Sequence, residues 1–349
     1  MFARLCAAAL ALSLLLAAGP GGAQVAQKPL VRIAFGSCAD QTLPQPIWDA
    51  VLAYRPQLFI FGGDNVYGDV TTADLRDLRT AYATARIVPG MARLRQSVPH
   101  LAVWDDHDYG VNDGGGEVRF KAESKALFMD FWELAADDPR RSRDGLYHAV
   151  TIGPPGKRVQ VILLDTRWFR SPLKPTDQRD APGKERYLPD PDPAKTMLGS
   201  AQWAWLEERL REPAELRLVV SSIQVVAEGH GFERWGNLPA ERQRLLDLIR
   251  RTEAAGVVLL SGDRHLAALY RESAGTPYPL VEITSSSLNR PYHGSREPGP
   301  NRLGGVYGDT NFGTVDIDWW EGTVTLAVRD EAGQAVRRTA VRLEELRPR

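Results

Sequence analysis

The chain has 349 residues, with 43 Lys and Arg against 44 Asp and Glu, six His, two Cys and 43% hydrophobic residues. That composition excludes disordered, collagen-like and disulfide-stapled classes, and it is ample for one large α/β domain or two smaller ones. With a net charge of −1 and Arg scattered along the chain, no basic stripe interleaved with aromatics marks a nucleic-acid partner.

Residues 1–23 read as a signal peptide. Met1-Phe-Ala-Arg4 carries one positive charge, Leu5 to Ala18 is continuously apolar, and Gly21-Gly22-Ala23 places small residues at the cleavage point. The apolar run is shorter than the roughly 20 residues of a spanning helix, and no later segment is long and apolar enough. The expectation is therefore a periplasmic or secreted protein whose mature chain, 24–349, is a single domain without a transmembrane segment. Cleavage removes Cys6 and leaves Cys38 with no disulfide partner. Cys38 is then either a small buried apolar residue or a thiolate that binds metal or acts as a nucleophile.

Next come four apolar runs that each stop at a polar cluster. Val31–Phe35 runs into Gly36-Ser37-Cys38, and Gln57–Phe61 into Gly62-Gly63-Asp64-Asn65-Val66-Tyr67-Gly68-Asp69. His100–Trp104 runs into Asp105-Asp106-His107-Asp108-Tyr109, and Gly256–Leu260 into Ser261-Gly262-Asp263-Arg264-His265. Helical patterns lie between and around them: Pro46–Ala53, Thr72–Ala85, Glu117–Leu134, Ser200–Leu210 and Pro239–Ala254. Such alternation predicts βαβ units, in which ligands sit outside the carboxyl ends of the strands. Gly145–Ile152 and Arg158–Asp165 predict a strand pair, and Phe169–Met197, rich in Pro, Asp and Lys, a long surface insertion. Four strands without helices follow at Leu280–Thr284, Thr314–Trp319, Thr323–Val328 and Val336–Leu343, with a loop over Ser285–Gly313. The predicted fold is α/β: a β-sandwich of two sheets, packed face to face and flanked by helices.

The strand ends supply one thiol, several carboxylates, imidazoles and tyrosines, a ligand set for two metal ions rather than for acyl transfer. Ser37 and Ser261 lack the Gly-x-Ser-x-Gly elbow of a serine hydrolase. Any one of the Asp residues can equally be a helix N-cap or a loop anchor. Thiolate, imidazole and phenolate suit Fe or Zn, whereas all-oxygen donors suit Ca, Mn or Mg.

In order, Phe35-Gly-Ser-Cys38, Gly63-Asp-Asn-Val-Tyr67, Trp104-Asp-Asp-His-Asp108, Leu164-Asp-Thr-Arg167 and Ser261-Gly-Asp-Arg-His265 resemble the metallophosphoesterase superfamily and, within it, the alkaline phosphatase D (PhoD-like) phosphatases. The resemblance spans roughly residues 31–320. It implies a metallophosphoesterase-like α/β/β/α sandwich with a two-metal centre at the strand ends, hydrolysing phosphate monoesters or diesters outside the cytoplasm. By matching position, it implies Asp64 as the carboxylate bridging both metals, Tyr67 as a tyrosinate, and Cys38 and His265 as the thiolate and imidazole of an iron-like site. Asp106 and Asp263 replace the Asn and first His of the wider superfamily, which moves the second metal toward oxygen ligands and toward Ca. Fe(III) with Ca is the expected pair, and Zn or Mn are alternatives. The segment Val220–Val225 carries no His where the superfamily has a further ligand, and His230 lies beyond it.

His107 is the candidate for orienting phosphate or protonating the leaving alkoxide, with Asp105 or Asp108 as its partner. Arg167 and Arg264 are candidate phosphate clamps, and Tyr109 and Asn112 lie in a Gly-rich loop, Asp108–Gly116, placed to close the site. Trp203 and Trp205 are expected to pack. The partner is a small-molecule phosphate ester, with a phospholipid or nucleotide phosphodiesterase as the alternative of the same fold. A glycoside hydrolase would use the paired carboxylates of Trp104–Asp108 but leaves Cys38 without a role. A non-catalytic exported protein that binds metal or phosphate is the alternative of another class.

Overall fold

The structure, a computed structural model, describes residues 28–348 except 296 and 298. The predicted signal peptide lies outside the described residues. Two six-stranded sheets form the frame, with strand orders β14-β13-β12-β1-β2-β3 and β10-β11-β9-β8-β5-β4.

The first sheet is built from β1 (Arg32–Gly36), β2 (Leu58–Gly62), β3 (His100–Val103), β12 (Phe312–Asp318), β13 (Thr323–Arg329) and β14 (Ala335–Arg342). β1, β2 and β3 run parallel, while β12 joins β1 antiparallel and leads into the β13–β14 meander. The second sheet holds β4 (His148–Ile152), β5 (Val159–Leu163), β8 (Leu216–Ser221), β9 (Val257–Ser261), β10 (Ala267–Glu272) and β11 (Leu280–Ser285). Its centre, β5-β8-β9-β11, is parallel, and β4 and β10 flank it antiparallel. The central strands are buried on both faces, which is why LFIF of β2 and VVLL of β9 read as unbroken rather than alternating apolar runs.

Helices cover the outer faces. Against the first sheet lie α1 (Ile47–Tyr54), α2 (Arg76–Arg86), α3 (Pro89–Ser97) and α5 (Lys121–Phe131), and the second sheet carries α6 (Gly199–Arg211) and α7 (Pro239–Arg251). On β2 the alternate residues Phe59 and Phe61 meet Trp48 of α1, at centroid separations of 5.7 and 6.0 Å, and Phe61 meets Trp132 at 4.5 Å. Burial of these aromatics fixes the helical layer on the sheet. α2 buries Leu78, Ala81, Tyr82 and Ala85, one stripe at helical spacing. Between the sheets, β11 packs on β12 and β13.

Several elements depart from the sequence reading. α3 was not expected, and the helix predicted over 72–85 begins only at Arg76. Pro89 opens α3, and Gly90 lets it approach α1 so closely that a Cβ there would lie 2.6 Å from the Cβ of Trp48. β8 and β10 were also unforeseen, and the insertion 169–197 carries a small antiparallel ribbon, β6 (Lys174–Pro175) with β7 (Tyr187–Leu188). Trp203 is buried and donates to Glu241 at 2.8 Å, and Trp205 packs on Tyr147.

Candidate metal centre

The carboxyl ends of the parallel strands in both sheets meet at one pole. Cys38 follows β1, Asp64 follows β2, the single turn α4 (Asp106–Tyr109) follows β3, and Asp263 and His265 follow β9. Backbone and side-chain bonds stitch the ends together: Leu288 N–H donates to the Ser37 carbonyl, Gly262 N–H to that of Ser222, and the Ser222 hydroxyl to Asp105 at 2.5 Å.

Among the described residues, three groups have donor atoms that lie within 4.8 Å of one another: Cys38, Asp64 and His265; Asp64, Asp106 and His107; and Asp106, Asp113, Glu233 and Asp263. Asp64 belongs to the first two and Asp106 to the last two, so the groups form a continuous chain of donors. Tyr67 joins the first group, its hydroxyl 2.8 Å from His265 Nε2 and 3.3 Å from Asp64 Oδ2, with Cys38 Sγ 3.5 Å from the same oxygen. The six residues expected as ligands, Cys38, Asp64, Tyr67, Asp106, Asp263 and His265, are thus brought together.

Backbone geometry aims these donors. Cys38, Asp64, Asp113, Asp263 and His265 all have left-handed backbone, with φ of 62°, 48°, 54°, 70° and 54°. For residues bearing a side chain each such conformation costs about 1–3 kcal/mol, so the surrounding fold imposes it. Asp108 contributes to this imposition: its carboxylate accepts from the Asp105 N–H at 2.5 Å and the Asn65 N–H at 3.1 Å, tying α4 to the loop that presents Asp64.

Burial and crowding of like charge set the electrostatics. Burial pushes the Cys38 thiol up to about 12, with Asp263 adding to the push. Burial, then Asp106 and Cys38, hold Asp64 well above the usual carboxylate range, and burial with Asp105 and Asp106 does the same to Asp263. For Asp106, burial is outweighed by Arg167, His107 and the Asp113 N–H, which hold it below the usual range. A buried surplus of carboxylates beside a thiol, a phenol and an imidazole is costly without positive charge, and a cation would reverse the upward shifts of Cys38, Asp64 and Asp263. The donors therefore fit metal ions: the thiol, phenol and imidazole a softer one, the four carboxylates around Asp106 a harder one.

These groups open into a cleft of about 350 Å³ lined by Asp64, Asp106, His107, Asp263, Arg264 and His265 among others. Burial lowers His107, but Asp106 and a 2.7 Å bond from Nδ1 to Asp69 overcome it and raise it to about 9. Asp69 is thus the partner of His107, in place of the expected Asp105 or Asp108, which are committed to Arg167 and to backbone N–H groups. Arg264 lines the cleft with its guanidinium 4.0 Å above the Phe232 ring and its Nη2 paired to Glu297.

Two expected residues do not reach the cleft. Arg167 is fully buried beneath it, donating through Nε to Asp105 at 2.6 Å and pairing through Nη1 with Glu233 at 2.6 Å, so it has no face for a phosphate. Tyr109 is buried against Trp104 and donates to the Gly115 carbonyl at 2.9 Å. His230 is buried on Gln224 at 3.0 Å and belongs to none of the donor groups. Conversely, the sequence reading missed Asp113, Glu233 and Asp69. Asp113 and Asp69 lie inside the polar loops it singled out, whereas Glu233 had no local signal.

Two facing sheets with helices outside and a cluster of candidate metal donors at their shared carboxyl pole define a metallophosphoesterase-like fold. Residues 33–310 match the family described as PhoD-like phosphatase, and the chain belongs to that family. It is 23% identical over 239 residues to alkaline phosphatase D of Bacillus subtilis, a match covering 62% of this chain and 40% of that enzyme's length. A solved structure of PhoD superposes over 93% of this chain and 72% of its own, with a TM-score of 0.69 at 18% identity. Purple acid phosphatase PPD1 from yellow lupin seeds matches 90% of this chain and 54% of its own, at a TM-score of 0.59 and 10% identity. GAP50, described as the anchor in the inner membrane complex of Plasmodium, matches 92% and 90%, at 0.57 and 14%.

Proposed function

We propose that the protein is an exported, metal-dependent phosphoric ester hydrolase acting on small phosphate monoesters or diesters. The observation that carries this reading is the sharing of Asp64 and Asp106 between adjoining donor groups that open on one cleft. The reading assigns Fe(III) to Cys38, Tyr67 and His265, and Ca to the carboxylates, with Zn or Mn as alternatives. Bound there, such ions supply Lewis acidity that activates water and neutralises phosphate charge. Asp64 holds both positions in register. His107, with Nδ1 fixed by Asp69, keeps Nε2 for the departing alkoxide, and Arg264 presents a guanidinium at the wall for a phosphate oxygen. The composition of residues 1–23 supports export, and no described helix is long and apolar enough to cross a membrane.

The test is release of p-nitrophenol from its phosphate monoester and diester by purified protein of measured metal content, before and after chelation. Turnover that chelation removes and metal restores is expected. Stoichiometric metal with no turnover of any phosphate ester would instead leave a binding protein, and turnover unaffected by complete metal removal would overturn the reading.

A further inference from the structure

The insertion between β5 and α6 reaches back to the cleft. A second cavity of about 490 Å³ is lined by Asn112, Asp113, Pro175, Arg179, Arg186 and Tyr187, and it shares Asn112, Asp113 and Arg186 with the metal cleft. The two spaces therefore adjoin across Arg186.

The ribbon that forms this wall is held in place. The Arg186 and Tyr187 N–H groups both donate to the Gly231 carbonyl, at 3.0 and 2.7 Å, and the Tyr187 hydroxyl donates to Asp113 Oδ2 at 2.8 Å. At Gly231 the chains cross so tightly that a Cβ would lie 2.5 Å from Glu185 N and 2.6 Å from Lys184 Cα. This crossing locks the ribbon to the segment that carries Phe232 and Glu233. Its two arginines have only loose counter-ions: Asp180 lies 3.6 Å from Arg186 and 4.0 Å from Arg179, with all these groups substantially exposed. Lys184, by contrast, is closely paired with Asp177 at 2.9 Å and lines neither cavity.

We propose that Arg179 and Arg186 form an anion subsite beside the metal cleft, selecting phosphate esters whose alcohol part carries a second phosphate. This rests on the phosphoesterase reading for the first phosphate. The fork of donors on each guanidinium matches phosphate geometry, and a weakly paired Arg gives up little to meet a ligand. Since both side chains are solvated, discrimination is moderate, about tenfold.

The experiment compares butanediol bisphosphate with butyl phosphate on the metal-loaded protein, by phosphate release and, in the same samples, by calorimetric binding. The wild type is expected to favour the bisphosphate about tenfold in kcat/KM and in affinity, and Arg179→Gln/Arg186→Gln to erase that preference by weakening the bisphosphate far more than butyl phosphate. Lys184→Gln, which removes one positive charge from the same ribbon but off the wall, should keep the preference. Equal loss for both ligands, equal loss in Lys184→Gln, or no preference in the wild type would each overturn the subsite. If neither ester is hydrolysed yet the bisphosphate binds preferentially through the two arginines, the subsite stands and the phosphoesterase reading falls.

Discussion

Tyr67 and His265 come from different sheets and touch: the phenol oxygen following β2 lies 2.8 Å from the imidazole Nε2 following β9. With Cys38 beside the same Asp64 oxygen, this contact gathers thiol, phenol and imidazole around one point. Ferric iron held there would absorb in the visible through charge transfer from phenolate and thiolate, which neither Zn nor Ca produces. Tyr67→Phe is expected to shift or bleach the band with little change in circular dichroism. A colourless protein with stoichiometric Zn and full activity would overturn the iron assignment and leave hydrolysis by a metal pair standing.

Cys38 is buried, and burial holds its thiol at about 12, so the free thiol is a poor nucleophile, while a bound metal would hold it as an occupied thiolate. Thiol reagents should fail on the metal-loaded protein and on the folded metal-free protein, and succeed when mild denaturant opens the latter. The loaded protein should need more denaturant for labelling to begin. Identical labelling curves for both states would remove Cys38 from the ligand set.

Asp64→Ala should abolish turnover and lower the content of both ions, because its carboxylate stands in two donor groups. Asp263→Ala belongs to the carboxylate group alone and should spare the coloured ion. Elemental analysis of the two variants decides the matter, and retention of both ions by Asp64→Ala would show the site to be misplaced.

Arg167→Ala is expected to act on stability. It leaves Asp105 buried without its cation and Glu233 with Arg170 alone, and breaking a buried pair in this way costs about 3–5 kcal/mol. Denaturant unfolding should show that loss, while the KM of whatever folded fraction remains stays close to the wild type. A rise in KM without a fall in stability would return Arg167 to the substrate.

Acid sensitivity should arise in part outside the residues that line the cleft. His148, at the start of β4, is held at about 4 by burial and by Arg140, with Arg143 on the same side and Asp138 opposing them. The unfolded chain takes up that proton near pH 6.5, so between about 4 and 6.5 it binds more protons than the folded chain. The stability His148 contributes is present above this window and lost as the pH falls through it. His148→Gln should flatten the fall in unfolding free energy over that range relative to wild type, and parallel curves would disprove the assignment.

Much of the frame was legible because buried parallel strands announce themselves as short unbroken apolar runs, and because each ended in a cluster of donors. β8 escaped because Arg217 interrupts its run, its guanidinium turned to the carbonyls of Glu212, Ala214 and Ala255. β10 escaped because its first residues, Ala267 and Ala268, carry little strand preference and depend on pairing with β11. At the site, side chains within a few residues of a strand end could be read, whereas Asp113 and Glu233 arrive on loops whose course is set by tertiary packing. Arg167 misled for the same reason. Beside Asp165 and Thr166 it resembles a clamp, and only folding reveals that Asp105, 62 residues away, and Glu233 already occupy it.

The order in which the donors occur along the chain makes metal loading a check on completeness. A growing or truncated chain that stops before β9 already has Cys38, Asp64, Tyr67 and Asp106, yet it lacks Asp263 and His265, so neither the group around Cys38 nor the four-carboxylate group is whole. Once the last strands are in place, an ion held from both sheets would rivet together segments more than half the chain apart, closing a long loop at small further entropic cost. A fragment would therefore remain metal-poor, and the finished molecule would be the first species able to hold its ions firmly.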